Sequence, residues 1–583
     1  MSLGDISLAH AAVLVDELVD RGMAHACVSP GSRSTPLALA LERDPRVQTH
    51  VHLDERSSAF FALGIAKVTR RPVGVACTSG TAAAEFFPAV VEAFQSRTPL
   101  VLMTADRPPR LRGTGANQTI DQTELYGRYA SFVELPLPPV DGPVAGGVIR
   151  SLVTTAFGRA SAGGPVHINA PFDEPLIPEG AVIGVDELDG PEPAANGAAD
   201  PPATQAERAD AAETVARAID AAKGVMVIGS LPEGPLRKAL SLAEALGWPV
   251  VAEPLSGCRV PASAGGATVL AAGQSLLADR TWMGEHTPHT VMQFGATPTT
   301  RASQGLVASA EQRIVVDRLH PDPDPEGRAT IRLREDPETL TATLLERGTP
   351  LQSAEAGWLA AWRDGDSVVR TALDVALDTG RDAFEPRIAR DLAAALPTGA
   401  TLFAGSSMPV RDLDLAMAPR AHVQIMANRG ASGIDGSIST MLGAAAVAPD
   451  TGSHVYALMG DLTFLHDAGA LLWLARRGHD AVLTVVDNGG GGIFGLLAQR
   501  DLPEYERLFR TPHNLELEAV CDAAGATYQL VERAGELLPS LHEAERGGGV
   551  AVVHVRVDPA YAVHRRRAVT TQVADALRGP AEE

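Results

Sequence analysis

The sequence predicts an α/β protein of three domains, each a mainly parallel sheet flanked by helices. Three observations predict it. The chain has 583 residues, several times what one hydrophobic core organises. Short apolar runs alternate with helix-length segments over the first ~180 residues and again after Phe384, the pattern of strands buried on both faces by crossover helices. A Pro/Gly/Asn/Ala-rich stretch, Asp189–Glu207, interrupts that pattern and reads as a linker.

In chain order, a helix near Ile6–Val19 leads to a strand at His25–Val28, the loop SPGSRST and a helix from Thr35. Val47–Val51 reads as a strand, Glu55–Val68 as a helix, Val73–Cys77 as a strand, TSGT as a turn and Ala82–Ala93 as one helix. Strands at Leu100–Met103 and Val166–Asn169 complete the first unit. The second has a helix near Ala206–Ala222 and strands at Val225–Ile228, Val291–Phe294 and Ile314–Val316. Ser353–Leu377 reads as a helical connecting arm. The third alternates helix Arg387–Leu396, strands Thr401–Ala404 and Val423–Ile425, helix Ile438–Val447, strand Val455–Leu458, helix Asp467–Arg476 and strand Val482–Val486. A late strand, Val550–Val557, precedes a short tail. The expected boundaries are 1–185, a linker at 186–208, a central domain at 209–350, a connecting segment at 351–383 and a last domain at 384–583. The first and third units share a pattern without a close sequence repeat.

Composition excludes several classes. Lys plus Arg total 49 against 71 Asp plus Glu, a formal charge of −22, which repels nucleic-acid backbones. Any anionic ligand must find a local basic cluster. The four cysteines, Cys27, Cys77, Cys258 and Cys521, form no CxxC pair, so a reducing compartment is expected rather than a disulfide framework or a zinc site. The N-terminus has no basic start, and no run of ~18 apolar residues exists. A cytoplasmic protein without a membrane span is expected. No GxGxxG or GxxxxGK[ST] loop follows a strand, which disfavours a nucleotide-binding protein of the doubly wound class.

The most informative stretch is Tyr456–Phe494, YALMGDLTFLHDAGALLWLARRGHDAVLTVVDNGGGGIF. One strand ends in Gly460-Asp461 and the next in Asp487-Asn488-Gly489-Gly490. Parallel strands emerge on one sheet edge, where ligands bind. Asp461 offers a carboxylate oxygen, Asn488 an amide oxygen and Gly490 a backbone carbonyl, a donor set suited to Mg²⁺, with Mn²⁺ acceptable. The helix after Gly460 presents N–H groups to phosphates. Each pair taken alone is also an ordinary turn.

This spacing resembles the thiamin-diphosphate motif, with Leu462 where Gly is frequent and Asp487 where the first of two Asn residues is usual. The resemblance narrows with SPGSRSTPLALAL, HLDERSSAFFALGIAK, TSGTAAAEFFPAVVEA, MTADRPPRLRGTGANQTIDQ and NRGASGIDG. On these motifs the chain resembles the menaquinone-pathway 2-succinyl-5-enolpyruvyl-6-hydroxy-3-cyclohexene-1-carboxylate synthase family. The resemblance implies a thiamin-diphosphate-binding fold. It also implies decarboxylation of 2-oxoglutarate and conjugate addition of the succinyl carbanion to isochorismate. Glu55 is then the acid that hydrogen-bonds a pyrimidine nitrogen of the cofactor; read without the family, Asp54 and Glu55 simply complement a helix dipole. The Glu55 unit and the metal unit would meet between two subunits, so a homo-oligomer, dimer or tetramer, is implied.

Both substrates are dicarboxylates, which suits guanidinium groups. The matching positions are Ser32, Arg33, Arg107, Asn117 and Gln118, expected for isochorismate, and Ser407, Arg411 and Arg429, expected for the succinyl carboxylate. Arg301 is a further candidate, although Thr300 replaces the Lys that usually precedes it. Ser432, Gly460, Leu462 and Thr463 fall at cofactor positions. Ile434 would bend the cofactor, and Ile493, Phe494 and Leu497 would wall its thiazolium or simply pack a core. The alternatives are another thiamin-diphosphate 2-oxo-acid decarboxylase or acetolactate-type synthase, which would not need the arginine set, and a non-catalytic cofactor-binding regulatory subunit, which would be expected to lack Glu55 or Asp461.

Overall fold

The computed structural model describes residues 2–140, 144–160, 163–180, 204–219, 221–231, 234–320, 324–347 and 351–579. Most of the predicted linker lies outside the described residues. Three parallel sheets are present, as the apolar strand runs predicted.

The first sheet comprises β1 (His25–Val28), β2 (Gln48–Val51), β3 (Val73–Cys77), β4 (Leu100–Asp106), β5 (Ser131–Glu134) and β6 (Val166–Pro171), in the order β2-β1-β3-β4-β6-β5. The second has β7 (Gly224–Ile228), β8 (Val250–Ala252), β9 (Thr290–Phe294), β10 (Gln312–Val316) and β11 (Ile331–Leu333), ordered β11-β10-β9-β7-β8. The third has β12 (Thr401–Ala404), β13 (Gln424–Met426), β14 (Val455–Gly460), β15 (Ala481–Asp487), β16 (Thr527–Val531) and β17 (Val550–Arg556), ordered β13-β12-β14-β15-β17-β16. Numbered from its own first strand, the third sheet repeats the order of the first. In each, strand order reverses between the first and third strands, which opens a crevice at their carboxyl ends.

Four sequence expectations are corrected. The helix read over Ala82–Ala93 is two helices, Thr81–Glu85 and Phe87–Gln95; Pro88 cannot donate an N–H inside a continuous helix and instead opens the second. The expected short tail is a helix, Pro559–Arg578, capped by Asp558 and tied to the connecting arm where Arg565 Nη2 donates to the Ala376 carbonyl at 2.6 Å. Strands β5, β8, β11 and β16 and the helix Gly146–Arg159 were not anticipated. The helix expected near Ala206–Ala222 runs from Gln205 to Ala218 behind a Thr204–Glu207 capping box.

The first and third units pack through equivalent helices, Glu55–Thr69 and Ser437–Ala446, each lying between the second and third strands of its sheet. A Cβ on Gly64 would meet the Thr440 carbonyl oxygen at 1.9 Å, and one on Gly443 would meet that of Phe61 at 2.0 Å. Glycine on both helices therefore brings the backbones into contact. Around the crossing Phe60, Phe61, Met441 and Leu442 share one core with residues of both sheets. The connecting helix Trp358–Asp378 buries Trp358 and Trp362 against the second and third units.

Gly64→Ala and Gly443→Ala should each cost about 3 kcal/mol through backbone overpacking, read as a clear fall in melting temperature. Gly284→Ala, in a helix with open space around the added methyl, should be neutral or slightly stabilising.

Candidate active site

β14 and β15 are adjacent and parallel, with Gly460 opposite Val486, so Asp461 and the Asp487-Asn488 pair leave the third sheet side by side. Asp461 opens the helix Asp461–His466 and is 2% exposed. Its Oδ1 accepts from the Leu462 amide at 2.8 Å, and its Oδ2 from the Gly490 amide at 2.7 Å. Gly490 has φ 142°, and a Cβ there would lie 2.2 Å from the Arg510 carbonyl oxygen, so the turn requires glycine. The Gly490 carbonyl accepts from the Gly492 amide at 2.9 Å. Asn488 Oδ1 is buried without a hydrogen-bond partner, an acceptor lacking a cation or donor.

Two groups that the sequence reading did not place here join the site. His513 Nε2 lies 3.1 Å from Asp461 Oδ2 and 3.7 Å from Asp487 Oδ1. His554 Nε2 lies 2.9 Å from Asp487 Oδ2, and its Nδ1 lies 2.8 Å from the Tyr528 hydroxyl. The ionised Asp487 carboxylate can only accept, so Nε2 carries the proton and donates to it, and Nδ1 accepts from the Tyr528 hydroxyl. Ligand atoms of Asp461, Asp487 and His513 all lie within 4.8 Å of one another. Burial pushes the Asp461 carboxyl up to about 6, reinforced by its hydrogen bond with Asp487. Burial also acts on Asp487, but hydrogen bonds from His554, Asp461 and the Gly489 amide outweigh it and hold that carboxyl at about 2. Below about pH 6 Asp461 therefore holds a proton while Asp487 stays ionised. Two carboxylates, an unpartnered amide oxygen and an imidazole fit a divalent cation.

Around this edge lie the apolar candidates. Ile493 and Phe494 are half-buried in the turn Gly492–Leu496, Leu497 is 37% exposed, and the Phe494 ring sits 5.6 Å from that of Phe509. They line a surface rather than fill a core. Ile434 is half-buried in the loop before Ser437, Ser432 takes φ 63°, and Leu462 and Thr463 occupy the first turn after Gly460.

Ser407, with φ 72°, ends the loop after β12, and its carbonyl accepts from Arg411 Nη1 at 2.5 Å. Arg429 follows β13, the neighbour of β12. Burial lowers the Arg429 pKa, the Arg411 charge lowers it further, and Glu253 and Glu92 oppose them. Two guanidiniums thus stand at adjacent strand ends. Arg301 begins the helix Arg301–Ser309 and is exposed; Gln274 bridges its predecessor Thr300 to Asp414, on the helix that carries Arg411.

The first sheet gathers the other candidates at its carboxyl edge. Buried Arg33 donates to the Phe172 carbonyl at 3.0 Å and to Glu174 Oε1 at 2.9 Å. Burial lowers its pKa, and so does the charge of Arg107. Arg107 donates to the Asn117 carbonyl at 3.1 Å, and the Gln118 carbonyl accepts from Ser79 Oγ at 2.9 Å. Ser32 is exposed in the same loop as Arg33. Glu55 opens its helix beside the cap Asp54 and is half-buried. Burial raises its pKa, and the charges of Asp54 and Glu85 raise it further against its own backbone amide. Its neighbour Arg56 reaches the far end of the Asp461 helix, 3.3 Å from Asp467 Oδ1.

The model "Thiamine pyrophosphate enzyme, N-terminal TPP binding domain" matches residues 9–125, and "Thiamine pyrophosphate enzyme, C-terminal TPP binding domain" matches residues 413–555. Similar curated proteins are named 2-succinyl-5-enolpyruvyl-6-hydroxy-3-cyclohexene-1-carboxylate synthase. That of Thermobifida fusca is 42% identical over 98% of this chain and 100% of its own. Those of Geobacillus thermodenitrificans and Halobacterium salinarum are each 38% identical, over 97% and 98% of this chain and 96% and 98% of their own.

The raised Asp461 pKa gives a pH signature. A carboxyl whose folded pKa exceeds its ordinary 3.8 stabilises below that value, and the stability is lost as pH rises through about 6. Asp487 adds no change in that window, since its pKa lies at about 2. Calorimetry with a chelator should therefore show melting temperature falling between about pH 4 and pH 6 and levelling off above that. Saturating Mg²⁺ or Mn²⁺, which bind the ionised form, should stabilise progressively more over that range. A cation effect independent of pH would refute the assignment.

Proposed function

The chain belongs to the family of 2-succinyl-5-enolpyruvyl-6-hydroxy-3-cyclohexene-1-carboxylate synthases, among the thiamine pyrophosphate enzymes, and from that premise we propose how its residues divide the work. It is a thiamine-pyrophosphate-dependent transferase of menaquinone biosynthesis. Its reaction is loss of CO₂ from 2-oxoglutarate and conjugate addition of the remaining succinyl unit to isochorismate. The observation that carries the reading is the pair at the edge of the third sheet: buried Asp461 beside the unpartnered oxygen of Asn488. No feature favours an acetolactate-type enzyme, which would not need the arginine set, or a non-catalytic subunit, which would be expected to lack Glu55 or Asp461.

Bound thiamine pyrophosphate supplies a thiazolium carbon able to take up the electron pair left by a departing carboxylate. We assign residues 384–583 to its diphosphate and 1–185 to its pyrimidine. Asp461, Asn488 and Gly490 would hold Mg²⁺, or Mn²⁺ in its place. Gly460, Leu462, Thr463 and Ser432 would lie about the diphosphate, Ile434 beneath the two rings, and Ile493, Phe494 and Leu497 along the thiazolium, excluding water. Glu55 would share a proton with a pyrimidine nitrogen. A carboxyl whose pKa is raised by burial and by the charges of Asp54 and Glu85 is suited to that task.

The substrates impose the remaining assignments. A carboxylate entering a chain of charge −22 needs a concentrated positive field. Arg411 and Arg429, with Ser407, would bind 2-oxoglutarate; Ser32, Arg33, Arg107, Asn117 and Gln118 would bind isochorismate; Arg301 would reach either. The strand before Glu55 leaves Val51 48% and Leu53 66% exposed, apolar surface at a catalytic position that a second copy would cover. The working enzyme is then a cytoplasmic homo-oligomer, with Glu55 serving the cofactor held by a neighbour.

Mixing two inactive variants tests this division. Glu55→Gln should abolish CO₂ release and carboligation with little change in cofactor affinity, and Asp461→Asn should lose metal-dependent cofactor binding. Co-refolded, they should recover about one quarter of wild-type turnover, because half the dimers are hybrid and each hybrid keeps one intact site. Recovery confined to zero would place both residues in one subunit's site.

A further inference from the structure

The loop that carries Arg429 is fastened from the first unit. Glu92, on the helix Phe87–Gln95, is 3% exposed. Its Oε1 accepts from the Gly430 amide at 3.0 Å and from Lys67 Nζ at 3.0 Å, and its Oε2 accepts from the Ala431 amide at 2.7 Å. Lys67 also donates to the Ala427 carbonyl at 2.8 Å. One ion pair thus grips the loop on both sides of Arg429. Contact is tight: a Cβ on Gly430 would lie 2.7 Å from the Glu92 carbonyl oxygen and 2.8 Å from the Ser96 amide nitrogen. Lys67 sits near the end of the helix that Glu55 begins.

The need for such a clamp follows from charge. Arg429 faces Arg411, a like charge, and its Nε is buried without a hydrogen-bond partner. Left alone, the loop would relax by moving the two guanidiniums apart. Glu92 supplies two anchors for backbone N–H groups and a negative charge toward Arg429; Glu253, buried in the second unit, supplies the other. We propose that Glu92 is a positioning residue for 2-oxo acid binding, holding Arg429 beside Arg411 through the Gly430 and Ala431 amides and Lys67. This rests on the reading that Arg429 receives a substrate carboxylate. The residue touches no substrate and acts through the loop alone.

The test compares steady-state kinetics of Glu92→Gln, Glu92→Asp, Lys67→Met and Arg429→Met, each as the cofactor- and metal-loaded enzyme. Gln keeps the shape of Glu92 but loses its charge and turns an N–H₂ toward a donor. It should raise KM for 2-oxoglutarate about tenfold, a loss of one well-placed charged contact. KM for isochorismate and cofactor affinity should hold, and kcat should stay within about threefold. Glu92→Asp, which retains the charge, should recover part of the loss, and Lys67→Met should mimic the defect. If Glu92→Gln does not fold, the Asp and Met variants carry the same comparison. A raised KM in Arg429→Met with normal values in the Glu92 and Lys67 variants would overturn the proposal and leave the role of Arg429 standing. A normal KM in Arg429→Met would remove both. Equal losses in both KM values and kcat in the Glu92 variants would reduce Glu92 to a structural group and also overturn the proposal.

Discussion

Two buried carboxyls at the ends of neighbouring strands repel each other once both ionise, and much of the third unit follows from that constraint. Asp461 and Asp487 are set side by side by the parallel pairing of β14 and β15. His554 and the Gly489 amide secure the charge on Asp487, which adds to burial in making Asp461 harder to ionise. The arrangement is costly for the protein alone, and the divalent ion proposed for this site would offset that cost. The glycine run after Asn488 serves the same end. At Gly490 a side chain would strike Arg510, and at Gly492 it would strike the Asn488 amide. These contacts fix the turn around the unpartnered Asn488 oxygen, the acceptor assigned to the ion in the proposed site.

The acidic surface poses the complementary problem of drawing dicarboxylates into a chain with a large negative charge. In the proposed site the answer is local. Arg411 and Arg429 stand at adjacent strand ends of the third sheet, and Arg33 and Arg107 face each other at the edge of the first. Like charges held this close need restraint from elsewhere. Carbonyl acceptors and Glu174 restrain Arg33, whereas carboxylates of two other units surround Arg429. The second unit, which offers no obvious chemistry, contributes through such restraint. Its buried Arg259 bonds Asp414 at 2.9 Å, on the helix that carries Arg411, and its Glu253 faces Arg429. It braces the basic cluster from behind.

The interior strands were legible in the sequence because burial on both faces makes them unbroken apolar runs: Val73–Cys77, Val225–Ile228 and Val482–Val486 could be little else. The edge strands were not. In β5 and β16, Phe132, Tyr528 and Gln529 are only partly covered, so their composition differs little from that of a loop. The terminal helix escaped notice because Arg565, Arg566 and Arg567 interrupt it, although Ala562, Val569 and Val573 mark a buried stripe. The meeting of Asp461 with Asn488 could be foreseen, since each follows an apolar strand in a parallel sheet. The approach of His513 could not, because it comes from an irregular loop whose path depends on tertiary contacts. Glu92 was equally hidden: an acidic residue in an apolar helix reads as solvent-facing until its partners Lys67, Gly430 and Ala431 are seen.

The repeated strand order explains why one chain can hold two unlike half-sites. In both outer units the helix between the second and third strands faces its counterpart across a glycine-lined crossing. The first turn of one helix carries Glu55; the segment entering the other carries Ile434 and Gly436. Ahead of Glu55, the Val51 carbonyl accepts from Trp473 Nε1 of the third unit at 3.0 Å, although the Val51 and Leu53 side chains stay exposed. The crossing of Gly64 and Gly443 thus does more than pack two helices. It fixes how the edge bearing Glu55 sits relative to the edge bearing Asp461 within the chain.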